Sequence, residues 1–262
     1  MTRLDVARRV YVGATRVGAI YRGSQKLATT RTNFATDPQP TLLSGSNVLG
    51  WHTGRWFGKA PAAGTHTLVT GATDGPVGIT CYLRKTWTAS PPLMTDSGDT
   101  GFQIGGTAAR RLAVQPGEIW TFSAYLRPSI KRNLNLDVYC YAADGVTSVT
   151  PSGWGSQRAF PSGALIRPGV TASRVLAEAG QWARVSLTMT VPEDVYKIDL
   201  MADSNGVATN GEQLWGPGDT LDGTALLAER GSELRPYFDP LMEPRAEWTG
   251  VASRSASTLW TL

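Results

Sequence analysis

The side chains through which this chain could do covalent chemistry are few, and their spacing argues against it. There are two histidines, His52 and His66. One falls in a predicted loop, the other at a strand start, and neither belongs to a Ser or Cys nucleophile motif. Glycoside hydrolysis needs two carboxyl groups about 5 to 10 Å apart across a cleft. Asp137, Asp199, Asp203, Asp219 and Asp222 supply acids, but solvation is the usual fate of acids on strands and loops. Gly216-Pro-Gly218 runs into a strand pattern, so no helix N-terminus follows it to receive a phosphate. Cys81 and Cys140 both sit in predicted strands, without Cys-x-x-Cys or Cys/His ligand spacing, which disfavours zinc. With no secretion signal, buried thiols are expected in preference to a disulfide. The expectation is a protein without catalytic activity.

The elements that would position these residues are strands. In 112–127, Pro116-Gly117 is a turn pair; beyond it Trp120, Phe122, Ala124 and Leu126 share one face, and Thr121, Ser123, Tyr125 and Arg127 the other. In 134–144, Leu134, Leu136, Val138 and Cys140 alternate with Asn135, Asp137, Tyr139 and Tyr141, and Asp144-Gly145 closes the run. This period-two pattern excludes a helix and predicts a central antiparallel pair that a second sheet must cover. Further strands are predicted at 65–70, 78–87, 101–104, 109–114, 174–177, 181–191, 195–202 and 220–229. Eight to ten strands at this spacing predict an all-β, two-sheet antiparallel sandwich. The connection 142–173, rich in Ser, Gly and Pro, is long enough to be functional or to cover a sheet edge.

Composition agrees: 262 residues with 29 Gly, 16 Pro and nine Trp suit one main β domain with appendages. No stretch approaches the ~18 apolar residues of a membrane span, and 1–9 lacks a signal peptide's apolar core, so a soluble chain made in the cytoplasm, without membrane insertion, is expected. The net charge of +4 is uneven. Residues 1–31 hold seven basic side chains against Asp5, a balance of +6, which leaves −2 for the remainder. A basic arm without a compact basic domain is a poor grip for a duplex, and nucleic acid is not an expected partner.

The arm contains a repeat. Val10-Tyr11-Val12-Gly13 with Arg16-Val17 recurs ten positions later as Ile20-Tyr21-Arg22-Gly23 with Lys26-Leu27. Each unit reads as strand, Gly turn, strand. Two such hairpins cannot bury a core alone, so the arm is either solvated or an assembly element that adds strands to a neighbour. Residues 31–64 read as irregular loop with anchoring rings. Trp51 and Trp56 either plug the rim of the sandwich or offer a flat apolar face to a sugar ring.

The order of several motifs resembles a known family. Trp51, then Pro116-Gly117 with Trp120-Thr-Phe-Ser-Ala-Tyr125, then Trp182-Ala-Arg-Val-Ser186, then Leu226-Leu-Ala-Glu-Arg-Gly231-Ser232 and Pro236-Tyr-Phe-Asp239 together resemble the carbohydrate-binding-module-like jelly rolls of minor tail proteins of actinobacterial phages. The doubled Val-Tyr-Val-Gly element and the Trp248-Thr-Gly tail with its small residues are similar to flanking pieces of such proteins. The chain departs from that pattern at Leu241-Met-Glu-Pro244, where a Gly/Asp-rich link is expected.

The resemblance implies a basic N-terminal assembly arm (1–31), a jelly-roll domain (32–240) and a C-terminal tail (241–262). It implies a structural virion protein near the tail tip, assembled in the host cytoplasm, with other tail proteins and copies of itself, as a homotrimer, for partners, and with a role in host cell-wall glycan attachment. A purely architectural virion component, such as a capsid decoration that binds no sugar, is the alternative. In such modules one sheet carries rings and polar groups to the glycan, which points to Tyr125, Tyr139, Tyr141 and Asp137, with Trp51 and Trp56. Related jelly rolls also hold structural calcium near domain ends, and Asp219 and Asp222 are the nearest ligands, though turn capping accounts for them equally. Tyr11, Gly13, Tyr21, Gly23 and Trp248 are the expected assembly residues.

Overall fold

The computed structural model describes residues 11–12, 15–16, 19–22, 25–35, 38–40, 43–44, 47–48, 51–53, 64–88, 101–104, 108–159, 167–204, 212–243, 245–249, 252 and 256–261. Among them the only helical element is a 3-10 turn, Pro76–Gly78; the rest of the regular structure is antiparallel strand. The expected all-β sandwich is what forms.

Two sheets face each other. In the six-stranded sheet the order is Val170–Ala172, Ala183–Thr190, Ile119–Pro128, Thr220–Arg230, Tyr82–Trp87 and Gly64–Val69. The nine-stranded sheet centres on Arg132–Tyr141 and Lys197–Ser204, flanked by Arg158–Ala159, Val175–Ala177 and Leu112–Ala113, and continues through Phe102–Ile104 and Trp51–Thr53. Between the sheets lie Trp120, Phe122, Ala124 and Leu126 from one side and Leu134, Leu136, Val138 and Cys140 from the other, with Val185, Leu187, Met189, Ile198 and Leu200. Each of these strands turns one side of its pleat into that core, and the central ones are buried on the other side as well.

The predicted central pair is corrected. Ile119–Pro128 pairs with Ala183–Thr190 and Thr220–Arg230, whereas Arg132–Tyr141 pairs with Lys197–Ser204 in the other sheet. The link over 129–131 is therefore a crossing between layers. Two amphipathic strands in succession bury their apolar faces equally well side by side or face to face, and period two does not distinguish the cases. The connection 142–173 is likewise more than loop: Trp154 is buried in the core, and Arg158–Ala159 and Val170–Ala172 join opposite sheets.

A third layer lies on the six-stranded sheet. Gln25–Asn33 pairs with Ser257–Thr261, which pairs with Ala246–Trp248, so the arm and the tail share one four-stranded sheet with Ala19–Arg22. Thr220–Arg230 makes the junction. Its register shifts opposite Ser123 and Tyr125, and Ala225 takes a φ of 58°. This bulge reverses the facing of the residues beyond it. Leu226 and Ala228 enter the main core, while Leu227 turns outward to Phe238 and Leu259. Asn33, fully buried, staples the two layers: its Nδ2 donates to the Leu226 carbonyl at 2.9 Å, and its Oδ1 accepts from the Ala228 N–H at 2.9 Å. Arg31 adds a two-point pair with Glu229 at 2.9 and 2.7 Å.

Candidate functional site

The sandwich has two outer faces, and the expected glycan residues are divided between them. Tyr139, Tyr141 and Asp137 lie on the outside of the nine-stranded sheet, in register with Asp199, Lys197 and Met201 respectively. That face is closed: Asp137 is 0% exposed, Tyr139 4% and Tyr141 9%. Arg158 Nε donates to Asp137 Oδ2 at 2.9 Å, and Asn135 Nδ2 to Asp137 Oδ1 at 2.8 Å. Gln103 donates to Asp199 at 2.6 Å, and Arg158 Nη2 stands 3.6 Å from Asp203. The guanidiniums of Arg158 and Arg111 cover the rings of Tyr139 and Tyr141, at 5.5 and 3.5 Å from their centroids.

The electrostatics follow from that burial. Loss of water pushes the Asp137 carboxyl above the usual carboxylate range, against the pull of Arg158. Burial opposes the charge of Arg158 too, but Asp137, Tyr139 and Asp203 outweigh it and hold the guanidinium protonated. Tyr141 is raised by burial first and by Asp199 second. Acids so paired form a packed ionic layer under cover. The expectation that Tyr139, Tyr141 and Asp137 present a sugar platform is corrected: alternation placed them off the core, and a second polar layer covers them there.

Tyr125 is on the opposite side of the molecule's core, on the outside of the six-stranded sheet, half-buried beneath the guanidinium of Arg184 at 5.6 Å. It cannot act with Tyr139 and Tyr141, because the strands that carry them belong to different sheets. The backbone of Trp51 lies in the nine-stranded sheet opposite Ile104. The Trp51 side chain and all of Trp56 lie outside the described residues.

Further along the face that carries Tyr125 is a cluster that sequence reasoning did not assemble. Arg84 Nε and Nη2 donate to the two oxygens of Asp222 at 2.7 and 2.9 Å, and Arg127 Nε donates to the same carboxylate at 2.8 Å. Arg127 also reaches Asp74 at 2.7 Å. Its guanidinium lies 5.0 Å from the Tyr82 ring centroid and 4.7 Å from that of Trp182, and the two rings meet edge to face at 5.5 Å. Trp182 Nε1 donates to the Asp74 carbonyl at 2.6 Å. Asp222 is buried, Trp182 is half-buried, the Arg84 side chain is 35% exposed and that of Asp74 56%. The hydrogen bond from Arg127 holds the Asp74 carboxyl below its usual range, and Asp222 raises Arg84. Trp182, Arg84 and the Asp74 carboxylate thus share a partly open surface over the buried Tyr82 ring and Asp222, suited to stacking on one ring and hydrogen bonding with a polar ligand. The one signal in the sequence was that Arg127 and Trp182 fall on non-core positions of their strands.

The calcium expectation is corrected by the same contacts. Both oxygens of Asp222 face cations already, and Asp219 caps its own turn, accepting from the Gly216 N–H at 2.7 Å. Among the described residues no group of three His, Cys, Asp or Glu side chains converges. Cys81 and Cys140 are free thiols, and burial pushes Cys140 up to about 12. His66 is half-buried, pushed down to about 4 by burial and then by Lys85. Of the assembly residues, Tyr11 and Tyr21 belong to strands whose side chains lie outside the described residues, as do Gly13 and Gly23. Trp248 is half-buried at the edge of the terminal sheet.

No family model matches the sequence, and no curated protein matches it. Similar solved structures include the CBM22-2 xylan-binding domain of Paenibacillus barcinonensis, with 11% identity over 71% of this chain and 94% of that one, at a TM-score of 0.41. The CBM22-1 and GH10 modules of Clostridium thermocellum endo-1,4-beta-D-xylanase 10B match at 11% identity and a TM-score of 0.42, over 77% of this chain and 28% of that chain. The enzymatically active domain of bacteriophage CBA120 tailspike protein 4 matches at 11% identity and a TM-score of 0.43, over 76% of this chain and 21% of that chain.

Proposed function

We propose that this protein is a non-catalytic structural component of a phage tail, displayed at or near the tail tip and assembled in the host cytoplasm. In this reading it contacts host-surface glycan through the outer face of the six-stranded sheet. The observation that carries the glycan reading is the cluster in which Trp182, Arg84 and Asp74 are partly open over buried Tyr82 and largely covered Arg127. The tail assignment rests on the order of the motifs from Trp51 to Trp248. Stacking plus a few hydrogen bonds gives weak affinity per site, and a threefold tip would multiply it.

A pull-down of the purified protein on host cell-wall glycan, repeated with Trp182→Ala and Arg84→Ala, tests the reading. Retention of the parent and loss of both variants is expected; no retention of the parent contradicts it. A second reading, a purely architectural virion component, is favoured by one observation: the face that carries Tyr139, Tyr141 and Asp137 is closed by its own ionic layer. Locating the chain in images of the intact particle separates a tail-tip from a capsid position.

A further inference from the structure

Where the Arg132–Tyr141 strand begins, a charge sits inside the end of the core. Arg132 has the facing of Leu134 and Leu136, and its side chain is 0% exposed. Its guanidinium lies 5.6 Å from the centroid of the Trp215 ring, which stacks on Trp87 at 4.0 Å. Nη1 donates to the Gln213 carbonyl at 2.6 Å, but Nε and Nη2 have no hydrogen-bond partner. Arg174 precedes the Val175–Ala177 strand, which pairs with the Arg132 strand. Its side chain is 25% exposed, and its Nε and Nη2 are also unpartnered.

Both guanidiniums look toward Glu212 from 3.9 Å, Arg132 Nε toward one oxygen and Arg174 Nη2 toward the other. That is beyond hydrogen-bonding range. One of those oxygens accepts from the Asn133 backbone N–H at 2.5 Å instead. Among the described residues, two cations against one carboxylate leave a surplus of one positive charge, with four buried N–H-bearing nitrogens unmet. A buried donor without an acceptor is costly, more so when charged. Burial lowers the pKa of Arg132, and Arg174 adds to the effect against the opposing pull of Glu212. The pair is short of negative charge and of lone pairs.

We propose that Arg132 and Arg174 form a binding site for one oxyanion, a phosphate ester or a carboxylate carried on a larger ligand, with Arg174 at the solvent side. A planar guanidinium presents its donors as a fork that matches such groups. The site belongs to the nine-stranded sheet and does not depend on the glycan reading, whose residues lie on the other sheet.

Isothermal titration of the intact chain at constant ionic strength, with inorganic phosphate, with acetate and with chloride as control, tests the proposal; thermal unfolding in the same series is the second readout. Saturable binding of phosphate or acetate is expected. The unfolding midpoint should rise by about 3 to 6 °C at roughly ten times Kd. Binding of phosphate alone identifies a phosphate site, acetate alone a carboxylate site, and both a general oxyanion site. Arg174→Gln should abolish the effect, and Arg235→Gln, at a half-buried arginine paired with Glu233, should keep it. If Arg174→Gln does not fold, the titrations of the parent decide alone. Absence of saturable binding by either oxyanion, an equal response to chloride, or an undiminished response in folded Arg174→Gln overturns the proposal.

Discussion

Asp222 and His66 show how a residue's type and its surroundings divide the work. An aspartate three residues from another in Gly-Asp-Thr-Leu-Asp-Gly has the chemistry for calcium, but its neighbours decide otherwise. Arg84, 138 positions away in sequence, and Arg127, 95 away, occupy the carboxylate. A chelator should therefore leave the thermal midpoint where it was; a drop on adding EDTA, restored by calcium, would show that a metal holds the fold somewhere. His66 makes a different prediction. Its pKa near 4 in the folded chain lies below the ordinary 6.5, so the unfolded chain binds the proton first as pH falls. Stability from this group is complete above pH 6.5 and is lost as pH falls from about 6.5 toward 4. Because the ring is only half-buried, a loss of about 1–2 kcal/mol is expected after allowance for solvent screening. Comparing His66→Leu with the parent at pH 7 and pH 5 checks it: the variant should lose less stability than the parent over that interval.

Among the elements, the Thr220–Arg230 strand carries the largest departure from simple patterning. Ala225 is fully buried with φ at 58°, a conformation that a β-branched side chain strongly disfavours. Ala225→Val should cost about 2–3 kcal/mol in denaturant unfolding; a variant as stable as the parent would mean that the bulge is not held. The strands themselves were legible. Runs at 65–70, 181–191, 195–202 and 220–229 correspond to Gly64–Val69, Ala183–Thr190, Lys197–Ser204 and Thr220–Arg230, because alternation records burial on one side of a pleat. Sheet membership was not legible. Nothing in Leu134 to Cys140 distinguishes a partner beside Trp120 from one facing it across the core. For the same reason Tyr125 was grouped with Tyr139 and Tyr141, and the Arg84, Arg127 and Trp182 cluster was missed: its members come together only through pairings far apart in sequence.

At the scale of the whole chain, the two ends form one sheet. The arm strand Gln25–Asn33 and the tail strand Ser257–Thr261 pair with each other over the outward-turned Leu227, with Phe238 and Leu259 between the layers. Removing 246–262 would strip that cover, leaving Leu227 and Phe238 on the surface and Gln25–Asn33 with only Ala19–Arg22 beside it. A midpoint lowered by several degrees, together with new binding of a hydrophobic dye, is the expected outcome; an unchanged midpoint would show that the terminal sheet contributes nothing to the sandwich beneath it. The layers also order the functional reading, since the nine-stranded sheet closes its outer face with ions while the six-stranded sheet leaves Trp182, Arg84 and Asp74 partly open.

Calorimetric titration of soluble host cell-wall glycan into the parent and into Trp182→Ala and Tyr139→Phe bears most directly on the function proposed for that open face. Binding by the parent, weakened about tenfold in Trp182→Ala as expected for loss of one stacking ring and unaltered in Tyr139→Phe, is the expected result. No heat from the parent, or equal affinity in a folded Trp182→Ala, would contradict it.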